Sequence, residues 1–177
     1  DMTAMRLLLA AQSALERSLE DSEVALLLHR CGLDDPLAAG RDREQFQRRV
    51  VDLCLAGQDR LSENRREGVS FLCDQALRLI EQNYMDEELS LNAVSEQLHV
   101  SPNYLSANMK KYTGDTFINL LIKRRMEAAL ALLQGGGLKV AEVAGRCGYS
   151  DQHYFSYCFK KYYGVSPARM RRGEGSE

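Results

Sequence analysis

Two stretches of this chain repeat one another at a separation of 50 residues, and the repeat narrows the choice of fold sharply. Residues 100–114 read VSPNYLSANMKKYTG, and residues 148–164 read GYSDQHYFSYCFKKYYG. Tyr104, Leu105 and Ser106 correspond to Tyr154, Phe155 and Ser156; Lys110 and Lys111 to Lys160 and Lys161; Gly114 to Gly164. The segments just upstream, LSLNAVSEQLHVS and LKVAEVAGRCGYS, align at an offset of 49, pairing Leu89 with Leu138 and Ser101 with Ser150. The second copy therefore carries one extra residue at the start of its second helix. A helix, a turn and a helix given twice is an internal repeat of one supersecondary unit.

Local physics supports that reading in each copy. Ser90 is a good N-cap, with Leu89 and Val94 spaced to form a hydrophobic staple across it. His99 and Val100 make the turn. Ser101 then caps the next helix, and Pro102 sits at its first position, where a missing N–H costs nothing. Leu105 and Met109 recur four apart as a buried face, and Gly114 suits the left-handed conformation that ends a helix. In the second copy Gly148 supplies the turn, Ser150 the cap, and Phe155 and Phe159 the buried pair. The lysine pairs fall in the last turn of each second helix, where the helix dipole favours cations.

The rest of the chain also reads as helix. Residues 2–19 put Ala4, Leu8, Ala11, Leu15 and Leu19 on one face, and Asp21 with Ser22 is placed to cap a second helix carrying Val24, Leu27, Leu28 and Cys31. GLDDPLAAGRD is a loop by composition. A long helix from Asp42 carries Phe46, Val50, Leu53, Cys54, Gly57 and Leu61, a stripe that suits either an intramolecular bundle or a dimer seam. Gly68 is expected to break it from a following helix lined by Val69, Cys73, Ala76, Leu77, Ile80 and Tyr84. Residues 116–133 form a connecting helix of ~27 Å, with Ile118, Ile122, Met126, Ala129 and Leu133 inward. Gly135, Gly136 and Gly137 read as a pliant hinge, and Ser166 with Pro167 starts a short last helix bearing Arg169, Arg171 and Arg172. The expected division is a helical interaction region at 1–71, a two-unit domain at 72–172 with repeats at about 90–114 and 139–164, and a disordered tail at 173–177.

Several classes of function find little support. No apolar run approaches the length of a membrane span, and no secretory signal opens the chain, so a cytoplasmic protein is expected. A start at Asp1 suggests a fragment of something longer. The five cysteines are scattered, with no C-x-x-C pair, and read as buried thiols rather than as disulfides or a zinc site. His29, His99 and His153 lack partners at catalytic or metal-binding spacing, and Asp34 and Asp35 follow no β-strand, so they read as loop or capping acids rather than a phosphate-receiver pocket. No catalytic residue, cofactor or metal is therefore expected. The charge is uneven: residues 1–73 hold ten arginines against thirteen acids, whereas residues 74–172 hold thirteen lysines and arginines against ten acids. That is a modest basic bias in the half that contains the repeat.

Residues from about 74 to 172 resemble the DNA-binding domain of AraC/XylS-type transcription regulators, through the pattern GYSDQxYFSxxFKKYYGVSPxxxR and its earlier copy. The resemblance implies an all-α fold: two helix-turn-helix subdomains joined by a long connecting helix, each placing its second helix in a major groove ~34 Å from the other. Base readers would then be the exposed positions Asn103, Ser106, Gln152, His153, Ser156 and Tyr157; the amides of Asn103 and Gln152 suit adenine. Phosphate contacts would be Ser101, Lys110, Lys111, Ser150, Lys160, Lys161, Arg169 and Arg171. Family members often carry arginine where this chain has Ala107 and Tyr157, which predicts weaker, A·T-leaning or shape-dependent recognition. Lys139 stands where a capping serine is usual, so that helix start is expected to fray. The arrangement also resembles the effector end of YesN-like two-component response regulators. Expected partners are thus double-stranded DNA, RNA polymerase, a second copy of the chain, and an upstream receiver or sensor domain. The competing expectation is a protein-interaction or dimerisation module of a response regulator with weak DNA binding.

Overall fold

A computed structural model describes residues 2–35 and 42–173, except for the side chain of Ala4. Most of the expected loop at 32–42 and of the expected tail at 173–177 lies outside the described residues. Every element among them is an α-helix: α1 (Met2–Glu16), α2 (Asp21–Arg30), α3 (Arg43–Asn83), α4 (Leu91–Gln97), α5 (Pro102–Thr113), α6 (Phe117–Gln134), α7 (Val140–Arg146), α8 (Gln152–Tyr163) and α9 (Pro167–Arg171). The chain forms two compact units, Asp1–Gly68 and Val69–Glu177.

In the first unit, α1, α2 and the N-terminal part of α3 enclose one core of Leu8, Leu15, Leu19, Val24, Leu27, Leu33, Phe46, Val50 and Leu53. The stripe on α3 is thus used within the chain. Gly57 lets α1 and α3 approach, since a Cβ there would lie 2.5 Å from Leu15 Cδ2. The Arg60 guanidinium donates to the Glu23 carboxylate from Nε at 2.9 Å and Nη2 at 2.7 Å, tying α3 to α2 and holding that carboxyl below its ordinary range. Three expectations need correction here. Glu20, not Asp21 or Ser22, stands at the N-cap of α2, where its backbone N–H donates to Glu23 Oε2 at 3.3 Å. Cys54 lies off the stripe and is exposed. Gly68 does not end the helix: α3 runs unbroken for 41 residues. A glycine inside a helix costs only ~1 kcal/mol relative to alanine, which good helix formers on both sides outweigh.

The second unit holds two cores that share one helix. Cys73, Ala76 and Ile80 of α3 pack with Val94, Leu105, Met109, Phe117 and Leu121. Met126, Ala129 and Leu133 pack with Val143, Ala144, Cys147, Tyr149, Phe155 and Phe159. Helix α6 therefore turns one face to the first core in its first two turns and another to the second core thereafter. This shift explains a misread stripe: Ile118 is 56% exposed, while Phe117 and Leu121 are buried in its place. The repeat is visible in the burial itself, since residues 101–110 and 151–160 alternate between buried, half-buried and exposed in the same order.

The two turns solve one steric problem differently. Gly148 takes φ +78°, and its counterpart His99 takes φ +54°, the left-handed region that a Cβ disfavours. Caps follow the repeat with one change. Ser101 Oγ accepts from Tyr104 N at 3.2 Å, but in the second copy Asp151, not Ser150, is the N-cap, its Oδ1 accepting from His153 N at 2.6 Å and Tyr154 N at 3.2 Å. The extra residue is the reason: the helices repeat at an offset of 50, which carries Ser101 onto Asp151. Lys139 has no capping side chain, yet Glu142 accepts from its N–H at 2.6 Å and supplies half of a capping box. Arg171 Nη1 also donates to Leu138 O at 3.2 Å beside the glycine run.

Between the two helix-turn-helix units lies Arg125, a cation that is only 8% exposed. Its Nε donates to Tyr84 O at 2.8 Å and its Nη2 to Asp86 O at 2.7 Å, while its guanidinium lies 5.2 Å from the centre of the Tyr149 ring. Those carbonyls follow the C-terminus of α3, where the helix dipole is negative and favours a cation. Neighbouring Arg124 pairs with Glu81 and stacks over Tyr84 at 4.2 Å.

Two substitutions test this account. At Gly148 a Cβ would meet Tyr84 O at 2.7 Å and Arg125 Nη2 at 2.9 Å. Gly148→Ala is expected to destabilise the second unit by about 3 kcal/mol in denaturant melts; a change below about 0.5 kcal/mol would remove the clamp from the account. His99→Gly should act in the opposite direction, gaining about 0.5–1 kcal/mol as the strain is relieved.

Candidate nucleic-acid interface

The faces of α5 and α8 that point away from the cores are matched position by position. On α5, Asn103, Ala107 and Lys111 form one exposed row; on α8 their counterparts are His153, Tyr157 and Lys161. The adjacent rows are Pro102, Ser106 and Lys110, and Gln152, Ser156 and Lys160. Ser106 and Ser156 are half-buried at the margin of the core, and the other residues of these rows are exposed. The structure thus brings the six expected base readers onto two equivalent surfaces, with Asn103 matched to His153 and Gln152 matched to proline. Both helices end in a lysine pair followed by a left-handed glycine, Gly114 at φ +81° and Gly164 at φ +77°. Four ammonium groups are therefore displayed at equivalent positions, near the C-terminal ends of the two helix dipoles.

The N-termini of the same helices differ. At α5 the cap is the neutral Ser101 hydroxyl, already accepting from the backbone. At α8 the cap is a carboxylate, and Ser150 Oγ donates to a second one, Glu87. Ser150 is thus committed within the protein. The expected phosphate residues on α9, Arg169 and Arg171, are exposed, and Arg171 spends one N–H on Leu138 O.

Sequence reasoning passed over Asp151 as a cap because Ser150 aligned with Ser101 at the offset of the preceding helices; the aspartate two residues before His153 was the available signal. It also passed over exposed tyrosines beside the readers. Tyr104 is 47% and Tyr154 57% exposed. Tyr154 lies against Cys158, whose hydrogen bond is the largest influence raising its hydroxyl pKa. Behind this face the chemistry is quiet. Burial pushes the Cys147 thiol up to about 11 and the Tyr149 hydroxyl up to about 12, so both stay protonated near neutrality. Among the described residues no group of three or more His, Cys, Asp or Glu could hold a metal ion.

A family model described as a helix-turn-helix domain matches residues 94–173. An uncharacterized HTH-type transcriptional regulator of Escherichia coli K12, YijO, is 39% identical over 102 residues, covering 55% of this chain and 36% of its own. The chain spans less than half the length of such curated relatives. Two solved structures cover the same region. The C-terminal domain of AraT, a response regulator from Geobacillus stearothermophilus, is 43% identical, with a TM-score of 0.57 over 60% of this chain and 88% of that one. The C-terminal domain of the two-component response regulator YesN from Fusobacterium nucleatum is 37% identical, with a TM-score of 0.52 over 61% of this chain and 98% of that one. With the repeat, the capped helix pairs and the shared connecting helix, these likenesses settle the family: the chain belongs to the AraC/XylS-type helix-turn-helix regulators through their DNA-binding domain.

Proposed function

We propose that this chain is the effector part of a sequence-specific transcription regulator, whose second unit reads two successive major grooves of double-stranded DNA with α5 and α8. The observation that carries the proposal is the matched pair of exposed helix faces, each with polar side chains toward its N-terminus and two lysines in its last turn. In this reading Asn103, Ser106, Gln152, His153, Ser156 and Tyr157 contact base edges, and Lys110, Lys111, Lys160 and Lys161 grip phosphates with Ser101, Arg169 and Arg171. Ser150 joins them only when Glu87 releases it. Neither row carries an arginine, so specificity rests on amide, hydroxyl and imidazole groups and on duplex shape rather than on bidentate guanine contacts.

The regulator binds and releases DNA without a catalytic step of its own, and works in the cytoplasm; no described helix is long and apolar enough to cross a membrane. AraT and the Fusobacterium nucleatum YesN are response regulators, which supports a receiver or sensor domain upstream of this chain. The first unit leaves Leu7, Leu9, Leu26, Val51 and Leu55 more than half exposed, which supports contact with such a domain or with a second copy. RNA polymerase is the further partner that a transcription regulator engages.

Binding to a random duplex pool, followed by selection, tests the reading. Affinity should fall steeply as salt rises, and absence of binding at low salt would remove the proposal. On the selected site Gln152→Ala is expected to cost ~1–3 kcal/mol at one or two base pairs and to relax preference there. Lys160→Ala should weaken every sequence about equally and flatten the salt dependence. If the two variants behave alike across a site library, the assigned roles are wrong.

A further inference from the structure

An open cleft of about 460 Å³ lies between the start of α6 and the outer face of α8. One wall carries Asn119 and Lys123; the other carries Tyr154, Tyr157, Lys161 and Tyr162. Asp115 is the one acid on its rim, and its carboxylate is already engaged. It accepts from Asn119 Nδ2 at 2.6 Å and Thr116 N at 2.8 Å, and those bonds, with the Lys123 ammonium nearby, hold it below the usual carboxylate range. What remains for an incoming group is two ammonium ions on facing walls and several phenol hydroxyls, set against ring and aliphatic surface that strengthens their field. Ammonium and hydroxyl donors of this kind suit a phosphodiester oxygen.

The position of the cleft selects the source of that phosphodiester. Two helices set into successive major grooves on one side of a duplex straddle the intervening minor groove, and the phosphate strands that border it pass beneath whatever joins them. Here the joining element is α6, and Tyr157 and Lys161 belong both to the cleft and to the exposed rows of α8. Resting on the DNA-binding reading above, we infer that α6 is itself a DNA-binding element, with Lys123 and Lys161 holding from opposite walls a backbone phosphate on the strand between the two grooves. Lys123 then contributes affinity without sequence preference, and the helix that separates the readers also fixes their height above the duplex.

The test uses the full chain on its selected duplex. Lys123 is exposed, so Lys123→Ala should leave melting unchanged. It is expected to lower affinity roughly eightfold at 0.1 M salt, on all sequences alike, and to flatten the logarithmic salt slope by about 0.9, the release of one counterion. Lys123→Arg should retain binding, and Lys139→Ala, which removes an equal charge at the start of α7, should change it little. Replacing single phosphates by neutral methylphosphonates should find one position on the strand between the grooves that weakens Lys123→Ala distinctly less than it weakens the wild-type chain, the remaining loss being the Lys161 contact. Wild-type slope and affinity in Lys123→Ala, or the same loss in Lys139→Ala, would overturn the inference while leaving the DNA-binding reading intact. No binding by the wild-type chain at low salt would overturn both. Displacement of DNA by millimolar inorganic phosphate at constant ionic strength, abolished in Lys123→Ala, would mark a free-phosphate site instead and overturn the assignment to the DNA strand.

Discussion

The second unit depends on one buried cation. Arg125 projects from the middle of the shared helix α6 and receives carbonyls from the end of α3 on one side and the Tyr149 ring on the other. A guanidinium taken out of water is costly unless its donors are met by well-placed acceptors, and carbonyls at a helix C-terminus meet them while adding the favourable end of a dipole. The close approach it demands explains why the turn of the second copy has no room for a side chain at Gly148. The entry to the first helix-turn-helix and the turn of the second are thus fastened to one side chain. Two small helical units, each with little core of its own, thereby hold each other in a set orientation.

Much of this was readable from the residues. The repeat, the serine and proline starts, the glycine stops and the aromatic or aliphatic pairs at Leu105, Met109, Phe155 and Phe159 are local signals, and local signals survive folding when they agree with one another. What escaped notice depends on contacts between elements. Arg125 sits on a face that periodicity assigns to apolar residues, and nothing in a linear pattern announces that three distant groups will surround it. Ile118 falls on a single apolar stripe in the sequence, but the helix serves two cores in turn and leaves it exposed. Gly68 reads as a breaker because glycine is weak in isolated helices, although its cost is small beside the favourable residues around it. The candidate interface divides in the same way: its exposed rows follow from spacing, whereas the commitment of Ser150 to Glu87 required the fold.

The copies have also diverged electrostatically. The N-terminus of α5 presents a neutral cap, while that of α8 is guarded by Asp151 and by Glu87 held on Ser150. A polyanion meets these two helix starts unequally. The second helix compensates through the cations of its last turn, of α9 and of the facing wall of α6, so the two units are equal in fold and unequal in their attraction for negative charge.

The sharing of α6 by two cores sets a phase relation. Each residue of an α-helix advances the chain by 1.5 Å and turns it by about 100°. One residue added between Leu121 and Met126 would swing Met126, Ala129 and Leu133 away from the core they fill, and Arg125 with them. Two full turns added together would restore the angle at the cost of about 10 Å of translation, close to three base-pair steps of a duplex. The distance between the two exposed faces is therefore quantised rather than continuously adjustable. Within such a lineage, divergence is channelled toward the identities of surface side chains, because the gauge that spaces them has no small increments to offer.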